Sequence, residues 1–317
     1  MLQERAAGTE NRIYAGLQEI FYYITFACNL RCRHCYAGDN LAPRTHADFD
    51  LISTLLFRGY EAGARKVTFL GGEPTLHPDY EMILTVAAGL GYQRIVIDTN
   101  GVARSPLPKN RDFLDRLAVR FSFDGAGPET HDAVRGQGTF EGAFGVFRRV
   151  IGEGIRAEVT FTLNAFNVSE IPQMVGRFVA GGASEINFHF VSLMGNAKKH
   201  RDLGLSPEAI IRAQERLHLL KQQSPVPLRY PRLLVRRDEL EGEVARGCGC
   251  HIFRPERLLI FPRGEMRRCP LEITPGLVGR PAVEEVAHFS GCPLAERLLP
   301  GGVPNGYVVT CISWKDH

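Results

Sequence analysis

Apolar, β-rich runs alternate with helix-period segments at steady intervals along the first part of the chain. The runs predict strands at 21–27, 66–70, 94–98, 118–123, 156–164 and 185–191. Between them, helices are predicted near 48–63, 78–90, 110–117, 139–153 and 168–180. A further helix begins at Ser206-Pro207-Glu208, where the serine caps and the proline fits the first turn. Such alternation implies βαβ units, a parallel sheet and the α/β class. Right-handed crossovers curl six units into a partial (β/α)6, TIM-like barrel, with chemistry at the carboxyl ends of the strands.

The pattern breaks at 222–247, where Ser224-Pro225-Val226-Pro227 and Arg236-Arg237-Asp238-Glu239 read as a connector. From Cys248 the chain is rich in Cys, Gly and Pro, with a short hairpin predicted at 258–268 turning at Pro262-Arg263-Gly264. The expected organisation is a barrel at 1–221, a connector at 222–247 and a small Cys-rich extension at 248–317.

A formal net charge of +3 over 317 residues leaves no electrostatic footprint for nucleic acid. The basic run Lys198-Lys199-His200-Arg201 reads as a solvated loop. No signal peptide opens the chain and no apolar run reaches membrane-spanning length, so a cytoplasmic protein without membrane contact is expected. Eight cysteines in a reducing compartment then point to metal binding or catalysis.

Three of them, Cys28, Cys32 and Cys35, form a C-x3-C-x2-C run just after the first strand. One short loop thus offers three thiolates, which on a [4Fe–4S] cube leave the fourth iron open. A zinc site and buried structural thiols are the alternatives, although zinc motifs normally pair cysteines across a longer gap. Gly71-Gly72-Glu73-Pro74 follows the second strand; the glycines let backbone approach a ligand, and the carboxylate can accept from an ammonium group.

The triplet and the Gly-Gly-Glu-Pro turn together resemble the radical S-adenosylmethionine (radical SAM) superfamily. The resemblance implies that the open iron chelates the amino and carboxylate groups of SAM. One electron, from a donor such as flavodoxin or ferredoxin, then yields a 5′-deoxyadenosyl radical that abstracts hydrogen from the substrate. It further implies cofactor contacts from Gly71, Gly72, Glu73 and Pro74, and from Thr99 and Asn100 in Asp98-Thr99-Asn100-Gly101 near the ribose. Ser122-Phe123-Asp124-Gly125, His131-Asp132 and Arg135-Gly136 are similar to a stretch found in one branch, which makes Ser122 and Arg135 candidates for the SAM carboxylate. Asn164, ending the fifth strand, is a further candidate contact. Ser192-Leu193-Met194-Gly195-Asn196 resembles the loop that packs near adenine. In the sixth strand Asn187, His189 and Val191 share one face, so His189 is either a catalytic contact to substrate or cofactor or a satisfied core histidine.

Cys250 and Cys269, spaced C-x13-G-x4-C around Gly264, are similar to the SPASM and twitch extensions that hold an auxiliary [4Fe–4S] cluster. Cys292 and Cys311 would complete its four ligands, and Cys248 is left over; a structural zinc is the alternative. The tight cysteine group of a full SPASM unit is absent, which favours a single twitch-like cluster. The short segment 1–20 before the first strand is expected to be too small for a leader-recognition domain, favouring a small-molecule substrate. The overall pattern resembles the cytosylglucuronate decarboxylase and aminoglycoside epimerase or dehydrogenase types of antibiotic-biosynthesis enzyme. That implies decarboxylation, epimerisation or dehydrogenation of a sugar, cyclitol or nucleoside. Cys248 would serve as hydrogen donor in an epimerase; Arg254, Arg257 or His189 would hold a carboxylate in a decarboxylase. A maturase of a ribosomally made peptide and a non-catalytic iron–sulfur or zinc protein are the alternatives.

Overall fold

A computed structural model describes residues 16–239, 256–267, 269, 299 and 302–313. Six parallel strands, β1 (Glu19–Thr25), β2 (Lys66–Gly71), β3 (Arg94–Thr99), β4 (Leu117–Phe123), β5 (Arg156–Leu163) and β6 (Glu185–Phe190), follow one another in sheet order. Helices α1 (Phe49–Glu61), α2 (Tyr80–Leu90), α3 (Pro128–Arg135), α4 (Thr139–Gly152), α5 (Ile171–Ala180) and α6 (Pro207–Gln223) connect and follow them. This is an α/β partial barrel. It stays open among the described residues, with β7 (Leu228–Arg229) at one edge.

Period-two alternation decides which way each strand faces. Ile20, Tyr22, Ile24, Val67, Phe69, Ile95, Ile97, Phe121, Phe123, Phe161 and Phe188 are buried in one core with the helices. Phe123 packs edge-on against Phe140 and Phe147 of α4 and tilted against Phe178 of α5. From β4 to β6 the alternate positions are mostly polar, and Arg120 of β4 pairs with Glu158 of β5 and Asp98 of β3. On β1 and β2, Phe21, Tyr23 and Leu70 form a second apolar cluster with Leu259 and Phe261. Local chemistry starts the helices where expected: Asp48 accepts from the amides of Asp50 and Leu51 at α1, and Ser206 accepts from Ala209 N at α6.

Three sequence expectations are revised. The helix near 110–117 is one 3-10 turn, Leu114–Arg116, because Asn110 Oδ1 caps Asp112 N in a local turn and β4 starts at Leu117. Helix α3 was missed although proline begins it and Gly136 ends it. The stretch 222–247, read as a connector, holds β7 and β8 (Pro231–Arg236), and β8 pairs antiparallel with β11 (Tyr307–Ser313) in a separate two-stranded sheet.

The hairpin at 258–268 forms as β9 (Arg257–Ile260) and β10 (Met266–Arg267), with Gly264 at φ +86° in its turn. Its β9 lies parallel to β1, so this hairpin extends the barrel sheet. Among the described residues no helix is long and apolar enough to cross a membrane.

Candidate functional site

The site grows from the loop after β1. Thr25 ends that strand with its hydroxyl bonded to Ala27 N, Thr45 O and His46 Nδ1, which turns the chain out of the sheet. Cys28, Cys32 and Cys35 follow, half-buried and not in disulfides. Burial pushes the Cys32 thiol up to about 12, and burial likewise raises Cys28 and Cys35, with Arg135 pulling each back. Bare thiols are therefore protonated at neutral pH, and metal binding must displace protons.

The donor set tests what these thiols fit. Cys32 senses both neighbouring thiols electrostatically. Yet among the described residues no three Cys, His, Asp or Glu side chains gather tightly enough for one metal ion. A zinc ion needs its sulfurs within about 2.3 Å of one point. A cube would give each of the three thiolates on this loop its own iron and leave the fourth open.

Strand ends clamp the loop from several sides. Gly72 N and Glu73 N donate to Thr25 O and Ala27 O, each at 2.8 Å. A Cβ on Gly72 would sit 2.3 Å from Ala27 O and 2.9 Å from Cys28 Cβ, so only glycine lets this turn lie on the cysteine loop. The Glu73 carboxylate is fully buried, which raises its pKa, and it accepts from Thr75 N, Thr75 Oγ1, Thr99 Oγ1 and Asn100 N. Three of these bonds fall on Oε1 and one on Oε2, and together they join the ends of β2 and β3. Asn100 Nδ2 donates to Asn29 Oδ1 at 2.8 Å, fastening the β3 end to the loop.

On the other side stands Asp124, fully buried after β4. One oxygen, Oδ2, meets His34 Nε2 and Arg135 Nε, each at 2.5 Å, while Oδ1 accepts from Thr162 N. Burial by itself raises this carboxyl, but Arg135 and His34 outweigh it and hold the group well below the usual range. From the β6 end, Asn196 gives its side-chain amide to Cys32 O and its backbone amide to Cys35 O. His34, Asp124 and Asn29 carried no assigned role in the sequence, and Asn196 entered only as part of the loop 192–196. His34 inside the triplet and Asp124 inside the Ser-x-Asp-Gly turn were the available signals.

The other sequence candidates divide. Ser122 is half-buried on β4. Asn164 is fully buried, with its amide spent on Thr162 O and Phe166 N inside its own turn. His189 keeps an exposed surface on β6, where crowding by protein atoms and the Arg257 and Arg120 cations push its pKa down to about 4. It is neutral near pH 7. Cys269 is buried, and Cys311 lies in β11. Cys248, Cys250, Arg254 and Cys292 lie outside the described residues.

Known proteins share parts of this chain. It is 29% identical over 211 residues to the Fe-coproporphyrin III synthase of Methanosarcina barkeri, covering 64% of this chain and 52% of that protein. It is 24% identical over 292 residues to the antilisterial bacteriocin subtilosin biosynthesis protein AlbA of Bacillus subtilis, covering 89% and 61%. The chain thus spans between half and two thirds of these curated relatives. In structure it is similar to SuiB of Streptococcus suis, solved bound to the precursor peptide SuiA. That likeness has a TM-score of 0.67 at 14% identity, over 92% of this chain and 69% of SuiB, and speaks for the fold.

The family model that matches residues 22–175, the barrel segment bearing the cysteine triplet and the clamps from β2 to β4, is that of the radical SAM superfamily, whose members use a [4Fe–4S] cluster and SAM: this segment of the chain belongs to that superfamily.

Proposed function

We propose that the chain holds a [4Fe–4S] cluster on Cys28, Cys32 and Cys35, cleaves SAM reductively and acts on a peptide as a maturase. The observation that carries the cofactor reading is the loop of three half-buried thiols clamped by the ends of β2, β3 and β6 and by Asp124. Cluster and SAM, when bound, supply a 5′-deoxyadenosyl radical that takes a hydrogen atom from the substrate.

This chain's residues orient and enclose. Gly71, Gly72 and Pro74 present turn backbone beside the loop, and Glu73 fixes that turn from within. Thr99 and Asn100 hold the β3 end against it. Ser122 and Arg135 are assigned to the SAM carboxylate; Asp124 holds Arg135 through Nε, which leaves the terminal guanidinium nitrogens for a carboxylate. Asn164 supports the site through its turn. His189 is assigned to the substrate as an accessible, neutral imidazole. The unit at 248–317 would carry an auxiliary [4Fe–4S] cluster on Cys250, Cys269, Cys292 and Cys311, with Cys248 as a spare thiol.

The peptide reading is supported by the relation to AlbA, named for bacteriocin biosynthesis, which runs over 89% of the chain and so extends past the barrel. The relation to the coproporphyrin enzyme covers 64%. Neither relative is named for a sugar, cyclitol or nucleoside substrate. The antibiotic-type small molecule expected from the sequence gains no support there, and the peptide alternative becomes the main reading.

Anaerobic reconstitution tests the cofactor part: dithionite and SAM should release 5′-deoxyadenosine, with Cys28→Ala as the blank. An iron-loaded protein that releases none would sink it. Deuterated peptides test the substrate part through deuterium recovered in 5′-deoxyadenosine. Recovery from a deuterated sugar or nucleoside alone would return the small-molecule reading.

A further inference from the structure

The basic run Lys198-Lys199-His200-Arg201 does not stand apart from the site. Tertiary structure lays it along the outer side of the cysteine loop. Lys198 Nζ pairs with Asp39 at 2.9 Å, Arg33 Nη2 pairs with Asp202 at 2.5 Å, and Arg33 Nε reaches His200 Nδ1 at 3.4 Å. Asn196 binds the backbone of Cys32 and Cys35 from the same segment. Arg31, between Cys28 and Cys32, is exposed and folds its guanidinium back onto Cys28 O. Lys199 and Arg201 are exposed and have no side-chain partner among the described residues.

The segments 28–39 and 195–204 together carry Arg31, Arg33, Lys198, Lys199 and Arg201 against Asp39 and Asp202. Five cations over two carboxylates leave an excess of three, equal to the formal net charge of the whole chain. These two segments thus carry a local positive excess. The exposed members of this patch, Arg31, Lys198, Lys199 and Arg201, lie on or beside the loop that carries the three thiols.

We infer that this patch docks an acidic one-electron carrier protein and steers it to the cysteine loop. The inference rests on the proposed function, which requires single electrons at that loop. The reduced carrier gives up one electron and is oxidised by one, and the cluster held by the loop is reduced by one. Charge complementarity of this kind raises association rates and makes them fall with salt. Lysine and arginine ends are mobile and hydrated, which suits a transient partner that must leave after each electron.

Reduced flavodoxin is the probe, against reconstituted wild type and the double variant Lys199→Glu/Arg201→Glu, which leaves the Lys198–Asp39 and Arg33–Asp202 pairs intact. Stopped-flow absorbance should show reduction by flavodoxin slowed about tenfold or more, with its salt dependence flattened. Titration of labelled flavodoxin should show matching loss of affinity. Reduction by dithionite, a small reductant, should be unchanged, which separates docking from cluster damage. Equal flavodoxin rates and affinities in variant and wild type would overturn the inference. So would an equal slowing by Arg148→Glu on the outer face of α4, since net charge rather than the patch would then be responsible. Loss of acidic-peptide binding with flavodoxin rates intact would reassign the patch to substrate. A wild type that dithionite and SAM cannot turn over would remove the proposed function and this inference with it.

Discussion

Asp124 at the rim and Glu158 inside the barrel meet the same electrostatic problem to different ends. Both are fully buried, burial raises both carboxyls, and guanidinium partners outweigh it to hold each below its ordinary range. Glu158 pairs with Arg120 on β4 and Arg94 on β3, so its network ties strands that the sheet ladder already ties. Asp124 joins α3 to a histidine 90 residues earlier in the cysteine loop. One buried carboxylate reinforces a fold. The other fixes where a loop meets a helix, and so shapes the site.

Breaking Asp124 is the strongest test of that difference. Asp124→Asn leaves Arg135 buried without its counter-charge and should cost about 3–5 kcal/mol in denaturant unfolding. Iron retained after reconstitution should drop as well. Glu158→Gln should cost less, about 1.5–3 kcal/mol, because Arg120 keeps Asp98. It should also keep full iron content. Equal iron loss in both variants would erase the distinction between rim and interior.

A pH series sharpens it further. His131 is fully buried beside Asp124, where it accepts from Asp124 N, and burial with the Arg135 cation lowers its pKa to about 4. With the folded value below the unfolded one, its stabilising effect is complete above about pH 6.5 and is lost as pH falls toward 4. The loss should be on the order of 3 kcal/mol, read as a falling denaturation midpoint. His131→Gln should flatten that slope; an unchanged slope would place the proton elsewhere. The smallest effect belongs to the exposed Arg33–Asp202 pair: Asp202→Asn should shift stability by under about 1 kcal/mol and leave iron content unchanged.

Much of the barrel was legible because strand alternation and helix period are local signals. The six strands of the core sheet appear within about two residues of their expected bounds. Helix α3 was missed because eight residues give too short a window for periodicity, although Pro128 and Gly136 framed it. The cysteine triplet and Gly71-Gly72-Glu73-Pro74 were legible because thiolate spacing and paired glycines are written within one loop. What Glu73 does was not. Its sequence neighbourhood says nothing of β3, and only the arrival of Thr99 and Asn100 shows that the carboxylate also holds that strand's end.

The sequence by itself determined the element order, the parallel class and the thiol loop after the first strand, all consequences of periods and spacings shorter than one βα unit. Tertiary structure alone decided that Asp124 would reach His34, that β9 would run beside β1, and that a basic run more than 160 residues away would line the cysteine loop. These pairings depend on which strand ends the barrel brings together. Local pattern carries no record of that, because strand-end proximity follows from closing the whole sheet around its core.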